Sequence, residues 1–439
     1  MKSFSLKRYR VLPIVLSLFL YLGLYYFSDL KTNHFDLDEY LFIRKTYYFD
    51  LYFLKRDFQD NRWYTEDAPD QPKVGPYLYG ITLHLAGIQD IEEYLQKIGF
   101  RVYRIEGEQW WYRLRGHRLV NLTPETLTVL QPVWLGRQTA VIFSLSAFLV
   151  LLVITYKIKG LLFGLISTLL LGRNTLMYWY GRLAMTDSMQ LFFFFSNLLL
   201  SLLFLKALRA RDHSRMALVA LALGANCSLG VGVKVSGMLM YFFLIVFFLT
   251  LIVMHRNSKS ISRFVSFCFG IVTTSFLALF VLLHPYTHHD TFRQFISIFT
   301  DRYEYANEAR LYQPKRAVYG RLDAIKLIYK RILSPQSGYV NFKFRHLPID
   351  IILFVVGLGL MIRRAVRKLS LKKISGEFLL LMWTAIVIGS LILYLRNDWP
   401  RYYLPTVASI TIMQAYAITS IFQGAINFIT AKSMRARDK

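Results

Sequence analysis

The residues best suited to chemistry are carboxylates at the ends of long apolar runs. Asp36, Asp38 and Glu39 follow the first run, 11–27, and Asp187 lies where two later runs meet. An ionised carboxylate at a membrane boundary is costly to keep dry and by default marks a functional site. Partly desolvated and close to a bound hydroxyl, it can act as a general base. The alternative is helix capping, because Asp and Glu at a helix start satisfy free amides and favour the dipole.

Basic side chains suited to an anion lie in similar boundary segments. Lys73 lies in a proline-rich turn, Arg182 precedes Asp187, and Arg401 with Tyr402 opens the last apolar run. A guanidinium can bind a phosphate through two hydrogen bonds, and a lysine can bind it as a point charge. Each basic residue is equally compatible with an anchor at the level of the lipid headgroups.

A short histidine cluster follows the seventh apolar run. It contains His284, His288, His289 and Asp290, and clusters of His and Asp can hold zinc or manganese. Pro285 makes a continuous helix through His284 and His288 unfavourable. We therefore favour polar residues that help to shape an acceptor pocket over a metal site.

The elements that must position these residues are membrane helices. The chain has 439 residues, of which 55% are hydrophobic, and its mean hydropathy is +0.36, which is too apolar for an ordinary soluble protein. Window length and apolarity predict about ten spans, at 11–28, 138–156, 160–172, 188–206, 216–233, 237–254, 264–284, 349–362, 377–395 and 402–422. The predicted class is an all-α, polytopic integral membrane protein.

Charge predicts the orientation of these spans. The net charge of +26 collects in short segments between apolar runs, which is typical of membrane orientation and disfavours a nucleic-acid partner. The first long loop, 29–137, instead holds sixteen of the 27 acidic residues. We expect both termini in the cytoplasm, a first helix that is retained rather than cleaved as a signal, and a prokaryotic plasma membrane as the host.

The spans divide the chain into five parts. These are a cytoplasmic N-terminus with the first span (1–28), a first exterior loop (29–137), spans two to seven (138–284), a second exterior loop (285–348), and spans eight to ten with a basic tail (349–439). Both exterior loops are rich in Tyr, Trp, Phe and Arg, so we expect them to contain interfacial helices.

The order of the motifs resembles one family. Asp-Glu follows the first span, a Pro-rich Lys turn comes next, Arg-Leu-Ala-Met-Thr-Asp precedes the fourth span, Lys234-Val-Ser-Gly237 lies between spans five and six, and Arg-Tyr-Tyr-Leu-Pro opens the last. Over about 11–420 the chain resembles the C-type (GT-C) glycosyltransferases, the group with the protein O-mannosyltransferases and the lipid A aminoarabinose transferases. The proline turn departs from the family's His-Pro-Pro-Leu or Lys-Pro-Pro-Leu pattern, since Lys73 follows Pro72.

The resemblance implies transfer of one sugar, mannose-like or another hexose or pentose, from a polyprenyl-phosphate donor to an acceptor hydroxyl on the non-cytoplasmic side, with inversion. It implies a catalytic group (Asp38, Glu39 and Asp187), a donor-phosphate group (Lys73, Arg182, Lys234, Arg401 and Tyr402) and a pocket (Asp36, His284 and His288). Asp38 would take the proton of the acceptor hydroxyl. A lipid phosphate is a good leaving group, so we expect that no metal or other cofactor is required. The expected partners are the bilayer, the lipid-linked sugar and a protein, lipid or glycan acceptor.

Two alternatives stay open. A lipid-linked oligosaccharide polymerase or ligase also uses many spans and exterior loops, although the early Asp-Glu pair argues against it. A transporter or flippase for lipid-linked sugars would place ionisable residues inside spans and show repeated halves. Here Lys234 alone is a candidate for a charge at mid-membrane, and no two-fold pattern is evident.

Overall fold

The computed structural model describes residues 3–30, 37–64, 72–97, 101–104, 110–113, 120–121, 131–288, 290–343, 347–370 and 374–437. The α-helices are α1 (Ser3–Phe27), α2 (Leu37–Arg44), α3 (Tyr47–Phe49), α4 (Val74–Leu85), α5 (Ile91–Lys97), α6 (Gln131–Lys159), α7 (Leu161–Arg173), α8 (Thr175–Tyr180), α9 (Asp187–Ala210), α10 (His213–Val233), α11 (Met238–Met254), α12 (Lys259–Leu283), α13 (Thr291–Tyr312), α14 (Arg321–Ile328), α15 (Ile349–Ser370), α16 (Gly376–Tyr394) and α17 (Leu404–Arg437). Short 3₁₀ turns cover Asn61–Tyr64, Val235–Gly237, Pro285–Thr287, Pro314–Arg316 and Pro400–Tyr403, and π-helical turns cover Asp50–Lys55 and Tyr329–Leu333.

Each predicted span coincides with a helix. Within the described residues, seven helical segments are long and apolar enough to cross a membrane: α6, α9, α10, α11 with its preceding turn, α12, α16, and α17 with its preceding turn. The apolar part of α1, 11–27, and α7 are shorter. The class of an α-helical, polytopic membrane protein is confirmed, whereas the number of about ten spans stays a prediction.

Local sequence explains where the membrane helices begin and end. Gly160 separates α6 from α7 with a φ of +94°, a backbone conformation that favours glycine. The carboxylate of Asp212 accepts a hydrogen bond from the amide of Arg215 at 2.9 Å, which caps α10. The hydroxyl of Ser375 caps α16 in the same way. These caps satisfy amides that would otherwise lack partners.

The long helices pack in adjacent pairs. α10 packs against α9 and α12, α9 packs against α6, and α15 packs against α17. At Gly357 of α15, an added Cβ would lie 1.9 Å from the carbonyl oxygen of Met413 in α17. A glycine therefore permits the two backbones to touch, as small residues do between membrane helices.

The first exterior loop contains both helices and strands. The helices expected in this loop include α2, α3 and the π-helical turn that follows them. Beyond α5, the strands β1 (Arg101–Arg104), β2 (Trp110–Arg113) and β3 (Val120–Asn121) form an antiparallel sheet in the order β1-β2-β3. This small sheet lies in a segment to which the sequence analysis assigned no structure. Its aromatic and β-branched residues favour strands.

The second exterior loop contacts the segment that precedes α17. Ala317 and Asn397 form an antiparallel bridge, and the amide of Asp398 donates to the carbonyl of Arg316 at 2.8 Å. The Arg331 guanidinium binds the Asp398 carboxylate at 2.5 Å. This long-range pairing fixes the position of the polar segment 396–402.

Candidate active site

Asp38 and Asp187 line one cavity, with a volume of about 1040 Å³. The polar part of its wall includes Lys234, Arg401 and Tyr402. The apolar part lies between α11 and α16, and its walls include Leu239, Phe242, Val246, Ile386, Val387 and Leu391. Two carboxylates from distant segments therefore lie at a single cavity that continues as an apolar slot.

Asp38 lies in the first turn of α2. Its carboxylate accepts a hydrogen bond from Nη1 of Arg401, and its side chain is 33% exposed. The Arg401 guanidinium lies 4.7 Å from the centroid of the Trp399 ring. Asp38 is thus a paired carboxylate that a substrate in the cavity can reach.

Asp187 is the first residue of α9, and its side chain is only 3% exposed. Nζ of Lys234 lies 2.5 Å from its Oδ1. Lys234 lies between α10 and α11 and has an extended backbone conformation. The tight turn after it packs Gly237 against Gly230: a Cβ added at Gly237 would lie 2.4 Å from the carbonyl oxygen of Gly230. This break between helices places the ammonium group at the cavity wall.

Glu39 is buried beside this site and lies outside the cavity wall. Its oxygens accept hydrogen bonds from Nε and Nη2 of Arg137, each at 2.8 Å, and Oε1 also accepts from the amide of Ala184 at 2.8 Å. Both side chains of the ion pair are 0% exposed. We therefore reassign Glu39 from the expected catalytic group to a positioning residue, since it links α2 and α6 to the segment 182–187.

Lys73 and Arg182 do not line the cavity. Lys73 is fully buried, with Nζ 4.1 Å from the centroid of the Tyr48 ring. The Arg182 guanidinium lies 4.3 Å from the centroid of the Tyr178 ring and donates to the carbonyl of Ser28. These cation–π and hydrogen-bonding contacts hold Lys73 within the first loop and Arg182 beside α1 and α8. The expected role of both residues at the phosphate stays a prediction.

His284 and His288 also lie away from the cavity wall. Nδ1 of His284 bonds to the carbonyl of Phe280 at 2.7 Å, and its Nε2 accepts from the amide of Lys73 at 3.4 Å. His288 contacts the carbonyl of Val281 through Nε2. Both rings therefore form hydrogen bonds at the junction that follows α12.

Two residues from the sequence analysis lie outside the part of the chain that the structure describes. They are Asp36, which was expected in the pocket, and His289 of the histidine cluster. Within the residues that are described, no group of three or more His, Cys, Asp or Glu side chains could hold a metal ion.

Four further cavity residues were not assigned a role from the sequence. They are Arg396, Asn397, Trp399 and Thr406. Oδ1 of Asn397, Nε1 of Trp399 and Oγ1 of Thr406 are buried without a hydrogen-bond partner within the described part of the chain, and the Trp399 and Tyr402 rings stack with centroids 5.6 Å apart. Unpaired polar atoms beside aromatic rings suit a ligand with many hydroxyls. The density of polar and aromatic residues at the start of the last apolar run is the signal that could have found them.

Known structures identify the fold. No family model and no curated protein matches the sequence. The archaeal oligosaccharyltransferase AglB from Archaeoglobus fulgidus, in complex with an inhibitory peptide and a dolichol-phosphate, is similar with a TM-score of 0.56 and 13% identity, over 98% of this chain and 52% of that one. ArnT from Cupriavidus metallidurans, bound to undecaprenyl phosphate, is similar with a TM-score of 0.51 and 13% identity, over 93% of this chain and 60% of that one.

Both neighbours are GT-C glycosyltransferases. The chain therefore has the GT-C fold, and the resemblance drawn from its motifs is confirmed at the level of the fold. The chain spans between half and three fifths of the length of these two proteins.

Proposed function

We propose that this protein is a membrane glycosyltransferase that moves a sugar from a polyprenyl-phosphate carrier to an acceptor hydroxyl on the non-cytoplasmic side, with inversion. The observation that carries this proposal is the cavity that Asp38 and Asp187 share with an apolar slot between α11 and α16. The GT-C fold supports it, and two neighbours were solved with lipid phosphates. We place the enzyme in a prokaryotic plasma membrane with both termini in the cytoplasm.

The apolar slot suits the prenyl tail of the donor. Phe242 and Val246 of α11 line the cavity together with Ile386 and Leu391 of α16. Burial of a prenyl chain against such walls is favourable by about 25 cal/mol per Å² of apolar surface. The sugar and its phosphate would then lie at the polar part of the cavity, beside the carboxylates.

The reaction replaces one C–O bond at the anomeric carbon with another. As the bond to the phosphate oxygen breaks, the acceptor oxygen attacks the same carbon from the opposite face and its proton passes to the Asp38 carboxylate. Negative charge develops on the departing phosphate, which Arg401 and Lys234 can offset from the cavity wall. Asp187 orients Lys234 through their ion pair.

The unpaired atoms of Asn397, Trp399 and Thr406 would bind sugar hydroxyls. We propose that a single hexose or pentose is transferred, as the motif order implies, to a hydroxyl of a protein, lipid or glycan. We also propose that no divalent metal is needed. Each carboxylate at the cavity is already paired with a cation, which weakens its attraction for a metal ion.

The proposal is tested with the full chain in proteoliposomes, using a panel of polyprenyl-phosphate sugars with and without EDTA. We expect covalent transfer from one member of the panel, at the same rate in the chelator. Movement of the lipid-linked sugar between leaflets without covalent transfer would instead show a flippase. Turnover abolished by EDTA and restored by a divalent ion would overturn the metal-free proposal.

Asp187→Asn is expected to lower the transfer rate about 10²-fold, because Lys234 loses the partner that holds its ammonium group in place. Initial rates at saturating donor, normalised to folded protein, measure this effect. Asp212→Asn is the control: unlike Asp187, Asp212 is exposed and caps α10, and asparagine caps helices as well as aspartate does. If Asp187→Asn changed thermal stability alone, Asp187 would be only a helix cap.

A further inference from the structure

We propose that Arg396 forms an anion subsite in the cavity, in addition to Arg401 and Lys234, which binds a phosphate group carried by one of the two substrates. This inference rests on the proposed transferase function and names a recognition element of the same site. Arg396 directly follows Leu395 at the end of α16, and both residues line the cavity together with Tyr303 of α13.

The first support is charge. Among the described residues that line the cavity, Lys234, Arg396 and Arg401 are cations, and Asp38 and Asp187 are the carboxylates. Arg401 and Lys234 are each paired with one of these carboxylates, which leaves one positive charge without a counterion at the wall. A cation of this kind attracts an anion strongly where water is partly excluded.

The second support is how the guanidinium of Arg396 is held. Its Nη2 donates to the hydroxyl of Tyr303 at 3.2 Å, and it lies 5.2 Å from the centroid of that ring. The backbone carbonyl of Arg396 accepts a hydrogen bond from the amide of Val318 at 2.8 Å. The side chain is therefore oriented by a neutral group and keeps donors for a ligand, and a guanidinium binds phosphate through two parallel hydrogen bonds.

The third support is position. Leu391, Leu393 and Leu395 of the same segment wall the apolar slot, and Arg396 is the next residue. A lipid whose tail lies in the slot must bring its headgroup out at this end. Asn397, the next residue, lines the same cavity, so Arg396 adjoins the residues that we propose bind the sugar.

Arg396→Gln is expected to raise the KM for one substrate about ten- to a hundredfold, with kcat within about twofold, because a charged hydrogen bond that ground state and transition state share is lost. Arg396→Lys should restore part of the affinity. Arg293→Gln is the matched control, because Arg293 is exposed in α13 and lies outside the cavity wall, and we expect it to match the wild type.

Varying the two substrates separately identifies the source of the phosphate. A raised KM for the polyprenyl-phosphate sugar, with weaker thermal stabilisation by undecaprenyl phosphate, would place the donor's phosphate at Arg396. A raised KM for a phosphorylated acceptor, with undecaprenyl phosphate binding unchanged, would place an acceptor phosphate there. Unchanged KM values for both substrates would overturn the subsite.

Tyr303→Phe covers the case in which Arg396→Gln fails to fold. It keeps the ring and removes only the hydroxyl that orients Arg396, so we expect the same KM to rise about three- to tenfold. An unchanged KM in this variant would also contradict the proposal. The thermal shift with undecaprenyl phosphate can be measured without turnover. If this lipid stabilises the wild type but the wild type transfers no sugar from any donor, the transferase function is refuted. If the enzyme is active and Arg396→Gln changes neither KM, only the subsite is refuted.

Discussion

Asp38→Asn is expected to reduce sugar transfer about 10²- to 10⁴-fold while leaving the amount of folded protein unchanged. The amide keeps the shape of the side chain and cannot take a proton from the acceptor hydroxyl. The cavity wall is otherwise preserved, because Asp38 is 33% exposed and contributes little to the packed interior. The rate of transfer from a polyprenyl-phosphate sugar, per mole of folded enzyme in membranes, measures the effect.

Asp57→Asn is the matched control for this experiment. Asp57 belongs to the same exterior loop, is exposed, and lies outside the cavity wall, so we expect wild-type rates. Full activity of Asp38→Asn would remove Asp38 from the reaction and, with it, the main support for the proposed mechanism.

Glu39→Gln is expected to destabilise the protein by about 3–5 kcal/mol. The substitution removes the negative charge that Glu39 places beside the Arg137 guanidinium, which is 0% exposed. It also weakens the hydrogen bond that holds the amide of Ala184 beside α2. Thermal unfolding of the detergent-solubilised chain, together with the yield of folded protein, measures this loss.

The exposed pair between Arg62 and Glu92 provides the comparison. Their side chains are 33% and 43% exposed, so Glu92→Gln should cost less than about 1 kcal/mol. If Glu39→Gln unfolded like the wild type and yet lost sugar transfer, Glu39 would act in the chemistry itself, and its assignment to positioning would be wrong.

The sequence indicated which residues line the cavity better than it indicated the environment of the residues beside them. Asp38, Asp187, Lys234 and Arg401 all lie at boundaries between apolar and polar segments, and that property can be seen in a short stretch of sequence. Glu39 lies at the same kind of boundary, and only its pairing with Arg137, 98 positions away, shows that it is buried. Burial by distant partners has no local signal.

The helices were predicted for a similar reason. Apolar length is a local property, so each expected span coincides with a helix. The bridge between Ala317 and Asn397 joins two separate regions of the chain, and neither region alone indicates it. The orientation of Arg396 depends on that pairing and on Tyr303 of α13, which explains why a residue in a conspicuous segment had no assigned role.

The pair between Asp38 and Arg401 joins residues 363 positions apart. During synthesis, the ribosome delivers the first partner long before the second, so a nascent chain that has inserted only its early helices holds Asp38 without the guanidinium that completes the pair. The pair can therefore form only after Arg401, in the turn that precedes α17, has been synthesised. A partly translated chain that lacks Arg401 therefore lacks the completed pair on which the proposed transfer depends.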